Sequence, residues 1–125
     1  QQGADYQTKK GTIIPNEEVT LPGLPAKSYA YCADTIFDEN LAEIVKGADL
    51  LYHETTYLAA DEAKATARFH STTFQAATIA AKAGVKKLLI GHFSARYESL
   101  DEFLTEACSV FPDTELALEG VCYRC

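Results

Sequence analysis

Six side chains in four short stretches carry the chemistry of this sequence. Asp34 lies in the run Y-C-A-D-T, His53 and Glu54 open H-E-T-T, His70 opens H-S-T-T, and His92 and Arg96 fall within G-H-F-S-A-R-Y. All three histidines of the chain are among them. Imidazole and carboxylate are the groups that hold catalytic zinc and move protons near neutral pH. Packing alone gives a domain no reason to space them this way, so the pattern is expected of an active site or part of one. Each residue also has a plainer reading. Asp34 can be a turn or cap aspartate ahead of Thr35, His92 a hydrogen-bonded core histidine beside Phe93, His70 a residue that merely precedes a helix cap, and Arg96 a surface arginine covering Tyr97.

The surrounding elements decide whether these groups can meet. Ser28 to Cys32, Asp49 to Tyr52 and Val85 to Ile90 are brief apolar runs bounded by polar residues, as buried strands are. Asp34, His53 with Glu54, and His92 each follow the end of one of them. Between these runs lie helical stretches. One is expected from Asp38 to about Lys46, with Leu41, Ile44 and Val45 on one face and Gly47 as its stop. A longer one opens at Thr72 with Gln75 as a capping box, offers Phe74, Ala77, Ile79, Ala80 and Ala81 for packing, and ends at Gly84. A last helix from about Leu100 to Val110 and a closing strand from Thr114 to Leu118 complete the pattern. Gly11 to Pro22 suggests two short strands around Pro15 and Asn16, and L-P-G-L-P-A reads as loop. Alternation of strand and helix means an α/β layered architecture, in which sites gather where strands end.

Composition limits the rest. A chain of 125 residues with 47% hydrophobic residues is expected to form one compact unit. No apolar run approaches the roughly 18 residues that cross a bilayer, and Gln1 to Lys10 do not read as a secretory signal, so the expectation is a cytoplasmic chain without a membrane partner. The net charge of −7 is opposite to that of most nucleic-acid binders. There is no methionine, even at position 1, which is expected of an excised piece of a longer chain. Cys122 and Cys125 form one C-x-x-C without the second pair that a structural zinc site needs, and reduced cysteines are the simpler reading.

Taken together, A-D-T, H-E-T-T, H-S-T-T and H-F-S-A-R-Y, in this order and spacing from about Gly11 to Glu119, resemble the C-terminal half of the ribonuclease Z family. These are tRNA 3′-processing endonucleases of the metallo-β-lactamase fold. The resemblance implies an α/β fold: the C-terminal half of an αββα sandwich, a mixed sheet with helices packed on it, formed by residues 1–125 as a single piece without the N-terminal metal-binding half. It implies that Asp34 bridges two zinc ions and that His92 ligates one of them. It further implies that His70 donates a proton to the leaving 3′-oxygen, that Glu54 orients and charges His70, and that Arg96 contacts phosphate. A carboxylate within about 4–6 Å would keep the His70 imidazole protonated against the dipole of the helix that follows. His53 is expected to be structural or to support the site from behind, because strand alternation turns it away from Glu54.

The sequence departs from the family pattern at Ala33 for glycine, Thr55 for alanine, Gly91 for threonine and Ala95 for proline. None of these removes a reacting group, although Ala33 and Ala95 alter local backbone preference. The H-x-H-x-D-H motif has no counterpart here. The expected whole is therefore a zinc-dependent endoribonuclease acting on precursor tRNA as a homodimer, and the chain alone is expected to be inactive and to bind zinc weakly. The alternatives are another hydrolase or phosphodiesterase of the same superfamily, or a non-catalytic interaction fragment.

Overall fold

Proline at 15 followed by two acidic residues favours the start of a helix over a continuing strand, since proline fixes φ and carboxylates suit a helix N-terminus. In the structure, a computed structural model that describes residues 3–21 and 23–125, this is what the N-terminal stretch does. Strands β1 (Tyr6–Gln7) and β2 (Ile13–Ile14) form an antiparallel hairpin, and Asn16–Val19 is a single-turn helix, α1. The two strands expected around Pro15 and Asn16 are thus one strand before Pro15 and a helix after it. Pro22, in the expected loop, and Gln1 and Gln2 lie outside the described residues.

The apolar runs become the strands of a four-stranded sheet, β3 (Tyr29–Cys32), β4 (Leu50–Glu54), β5 (Leu88–Gly91) and β6 (Thr114–Leu116), in the order β3-β4-β5-β6. Every neighbouring pair in it is parallel. The expected mixture of strand directions is therefore divided between two sheets, a parallel one and the antiparallel hairpin beside it. Parallel neighbours need crossovers, and helices supply them. They are α2 (Leu41–Ile44), α3 (Glu62–Ala67) after a 3₁₀ turn at Ala59–Asp61, α4 (Thr73–Ala83) and α5 (Asp101–Val110). Helix α2 is shorter than expected because the Asp38 carboxylate accepts from the Asn40 amide at 2.9 Å, building a local turn in place of a cap.

Helix α4 keeps both halves of its capping box: Gln75 N–H donates to Thr72 Oγ1 at 3.3 Å and Thr72 N–H to Gln75 Oε1 at 3.0 Å. Its C-terminus turns through Gly84 at φ +62°, a conformation glycine takes without steric cost. Ala76, Ala77, Ile79, Ala80 and Ala83 are its buried face, whereas Phe74 and Ala81 point outward. That face meets Leu51, Leu88 and Ile90 of the sheet and Phe103 and Ala107 of α5. The Phe103 ring takes Phe93 and Tyr97 edge-on, each at 4.9 Å between centroids.

Among the described residues, the opposite face of the sheet carries tyrosines and the C-terminal tail in place of a helix. Tyr31 stacks on Tyr52 at 4.7 Å, and Tyr29 and Tyr31 are exposed at the β3 edge. The C-terminal tail folds back over part of this face, where the Tyr123 hydroxyl donates to Leu116 O at 2.6 Å. Gly91 is required by contact on this side, because a Cβ there would stand 2.7 Å from the Tyr52 hydroxyl and 2.8 Å from its ring. Among the described residues no helix is long and apolar enough to cross a membrane.

Candidate active site

Strand register places the chemistry. Cys32, His53 and Ile90 share one row across β3, β4 and β5, while Glu54 pairs with Gly91 one step later. Asp34 lies two residues past β3, Glu54 ends β4, and His92 follows β5 directly. His70 arrives from the side, in the turn between α3 and α4, where its N–H donates to Ala65 O at 2.9 Å. Asp34 and His92 both have left-handed backbone, φ +47° and +61°, and so does Phe69 at +60° beside His70. Such φ values are costly for residues with a Cβ and collect where side chains must be aimed. Ala33 and Ala95 do not have this backbone; Asp34 and His92 do.

These turns bring Asp34, His70 and His92 together, with one ligand atom from each lying within 4.8 Å of the others. Asp34 Oδ1 stands 3.1 Å from His92 Nε2, with the aspartate side chain 70% exposed and the histidine 45% exposed, so the cluster opens to solvent. One oxygen and two nitrogen donors around a common point are a donor set that suits zinc, and an open side is what a catalytic ion keeps. The residues present therefore fit part of a metal centre.

Behind the cluster lies a buried carboxylate. Glu54 is fully buried, and four donor groups converge on it: Ser71 N–H and His70 Nδ1 on Oε1, both at 2.9 Å, and Thr56 N–H at 2.9 Å and the Thr56 hydroxyl at 2.8 Å on Oε2. Ser71 Oγ also donates to Thr35 O at 2.7 Å, tying the His70 turn to the Asp34 turn. Thr55 N–H to Gly91 O at 2.8 Å and Ser94 N–H to Thr56 O at 3.2 Å fasten the His92 turn in the same way.

His53 stands apart from the cluster. It is fully buried in the row of Cys32 and Ile90, and its Nδ1 lies 2.8 Å from the Glu54 carbonyl oxygen while Nε2 has no partner. Burial, partly opposed by the Glu54 carbonyl and carboxylate, holds its imidazole below the ordinary range. Arg96 lies with its guanidinium carbon 5.6 Å from the Tyr97 ring centroid and Nη1 3.9 Å from Asp61 Oδ2. The Tyr97 hydroxyl donates to the same Asp61 oxygen at 2.6 Å, and Lys64 reaches Asp61 Oδ1 at 2.6 Å. Lys64 first, then Tyr97, hold the Asp61 carboxyl below its usual range.

Thr56, Ser71, Asp61 and Glu106 are the structural participants that the spacing of titratable residues does not reveal. Glu106 of α5 accepts from Ala59 N–H at 3.0 Å and from the Thr73 hydroxyl, locking the start of α4. The paired threonines after H-E and after H-S are the one signal in the sequence for such buried hydroxyl contacts.

A parallel sheet with helices packed on it and an aspartate–histidine cluster at its C-terminal edge is an arrangement this chain shares with proteins of the metallo-β-lactamase fold. Solved structures agree: the metallo-β-lactamase-fold protein YhfI of Bacillus subtilis superposes with a TM-score of 0.69 at 27% identity, covering 74% of this chain and 37% of that one. Human tRNase Z, short form, superposes with a TM-score of 0.57 at 25% identity, covering 84% and 33%. More particularly, the chain is homologous to ribonuclease Z. The enzyme of that name from Bacteroides thetaiotaomicron is 49% identical over 120 residues, 96% of this chain and 38% of the relative. The one from Porphyromonas gingivalis is 51% identical over 118 residues, 94% and 39%. The chain thus spans about two fifths of the length of the curated relatives it matches. No protein-family model matches it.

Proposed function

We propose that the protein to which this chain corresponds is a zinc-dependent endoribonuclease that removes 3′ trailers from precursor tRNA, and that residues 1–125 contribute part of its active site. The observation that carries this reading is the meeting of Asp34, His70 and His92 in front of the buried Glu54. Asp34 and His92 would hold the metal, Asp34 with two oxygens able to serve two ions. Zinc supplies an activated water and stabilises charge on the phosphate when bound. His70 is the proton carrier: its Nδ1 is anchored on Glu54 Oε1 at 2.9 Å, which leaves Nε2 to face a leaving oxygen. Glu54, buried behind it, orients the ring. Arg96 is nearly half exposed, beside the Tyr97 ring and 3.9 Å from Asp61, contacts weak enough to let its guanidinium turn toward a substrate phosphate.

The remaining length of the relatives would bring further ligands and cover the exposed Tyr29 and Tyr31 face. The whole enzyme would act as a cytoplasmic homodimer with tRNA as its substrate partner. The net charge of −7 leaves the grip on RNA to residues elsewhere. The test compares this chain and the full-length protein on precursor tRNA with added zinc. Cleavage by the full-length protein, its loss on His70→Ala, and none by the chain alone are expected. Robust cleavage by the chain alone would refute the division of ligands. Hydrolysis of a model phosphodiester with precursor tRNA untouched would favour another hydrolase of the superfamily.

A further inference from the structure

Among the described residues, Thr56 is the side chain that reaches Glu54, His70 and His92 at once. Its Oγ1 lies 2.8 Å from Glu54 Oε2, 2.8 Å from His92 Nδ1 and 3.2 Å from His70 Nδ1. A hydroxyl has one proton to give and two lone pairs to receive with. The carboxylate settles where the proton goes. Both Glu54 oxygens are buried and each already accepts a backbone N–H, from Ser71 and from Thr56, so Oε2 faces the hydroxyl as an acceptor. Turning the hydroxyl proton toward a histidine instead would set two oxygen lone pairs against each other at 2.8 Å in a water-free place, which costs more than a hydrogen bond gains.

With that proton committed to Glu54, Thr56 Oγ1 can only accept from the two rings. We propose that Thr56 is a positioning residue that fixes the tautomer of His92, with the proton on Nδ1 and the lone pair of Nε2 directed at Asp34. His70 in its neutral form takes the same tautomer, its Nδ1–H shared between Glu54 Oε1 and Thr56 Oγ1, so that its Nε2 is the atom at which a proton is taken up and given away. Asp34 opposes this, since its Oδ1 at 3.1 Å from His92 Nε2 would accept a proton there. The Asp34 side chain is 70% exposed, so water competes with it for that bond, whereas Thr56 is buried. The inference deepens the functional reading above, because a bare Nε2 beside a carboxylate is what a metal at that place requires. The tautomer itself does not depend on that reading.

Only three histidines are present, so their side-chain nitrogens can be assigned one by one in long-range proton–nitrogen spectra. The measurement uses this chain without metal or RNA, at a pH alkaline enough to leave the rings neutral. Expected are Nδ1–H patterns for His92 and His70 in the unmodified chain. In Thr56→Val, His92 switches to Nε2–H while His70 remains on Glu54. In Thr56→Ser, the Nδ1–H pattern of His92 is kept. His53, whose Nδ1 meets the Glu54 carbonyl, serves as the signal that should not move. An Nε2–H pattern at His92 in the unmodified chain overturns the proposal, and so does an unchanged His92 in a folded Thr56→Val chain. If Thr56→Val does not fold, the unmodified and Thr56→Ser spectra still decide. Because no substrate is involved, failure here is separate from failure of the nuclease reading.

Discussion

At the scale of single residues, Glu54 is the buried carboxylate on which four donor groups converge. Replacing it by alanine leaves the Thr56 and Ser71 amides buried without an acceptor, and each such donor costs about 1–3 kcal/mol. Urea denaturation of Glu54→Ala should therefore show a midpoint shifted well below that of the unmodified chain, while Arg96→Ala, on an exposed side chain with a long ion pair, should shift it little. His53 adds a pH dependence of known sign. Its imidazole is neutral in the folded chain to a lower pH than the ordinary value of 6.5, because burial outweighs the attraction of Glu54. The unfolded chain takes up a proton there that the folded chain refuses, so the stability is complete above about pH 6.5 and is lost as pH falls toward the lowered folded value. Denaturation midpoints measured from about pH 7 down to about pH 5 should decline more steeply for the unmodified chain than for His53→Gln. Equal slopes would show that His53 is not the group responsible.

At the scale of elements, the sheet edge is where local sequence rules and long-range contacts divide. Helix α4 follows its sequence closely: the Thr72–Gln75 capping box and the Gly84 stop are local features, and both form as expected. Thr72→Ala should cost about 1 kcal/mol, read from thermal or urea unfolding. Gly91 answers to a distant residue. Gly91→Ala should cost about 1–3 kcal/mol because its Cβ meets the Tyr52 ring, and the cost should shrink when Tyr52 is also replaced by alanine. What could be read from the sequence has the same boundary. The strands leading to Glu54 and to His92 were legible, since buried parallel strands are plain apolar runs and their ends carry polar residues, but the expected end at Tyr52 falls short: β4 continues through His53 and Glu54, both buried in the sheet. The N-terminal hairpin was misplaced, because β-branched Ile13 and Ile14 and the turn at Pro15 do not reveal that the partner strand is Tyr6–Gln7. Thr56 was illegible as a junction of three side chains, because its role depends on the register of β4 with β5 and on the His70 turn arriving from another element. Arg96 was legible as a residue type but not in its partner, since Asp61 lies far away in sequence.

At the scale of the whole molecule, helices cover one face of the parallel sheet and leave a tyrosine-rich face partly open, while the reacting groups gather at one end. This is the form expected of the partial site proposed above. Metal binding by this chain should accordingly be weak, resting on Asp34 and His92 with His70 in reach. Calorimetric titration of zinc into the chain tests that directly, with Cys122→Ser and Cys125→Ser introduced so that tail thiols cannot supply ligands. Saturable binding that disappears in both Asp34→Ala and His92→Ala is expected. Zinc binding that persists unchanged in those two variants would mean that the cluster at the sheet edge is not the metal site.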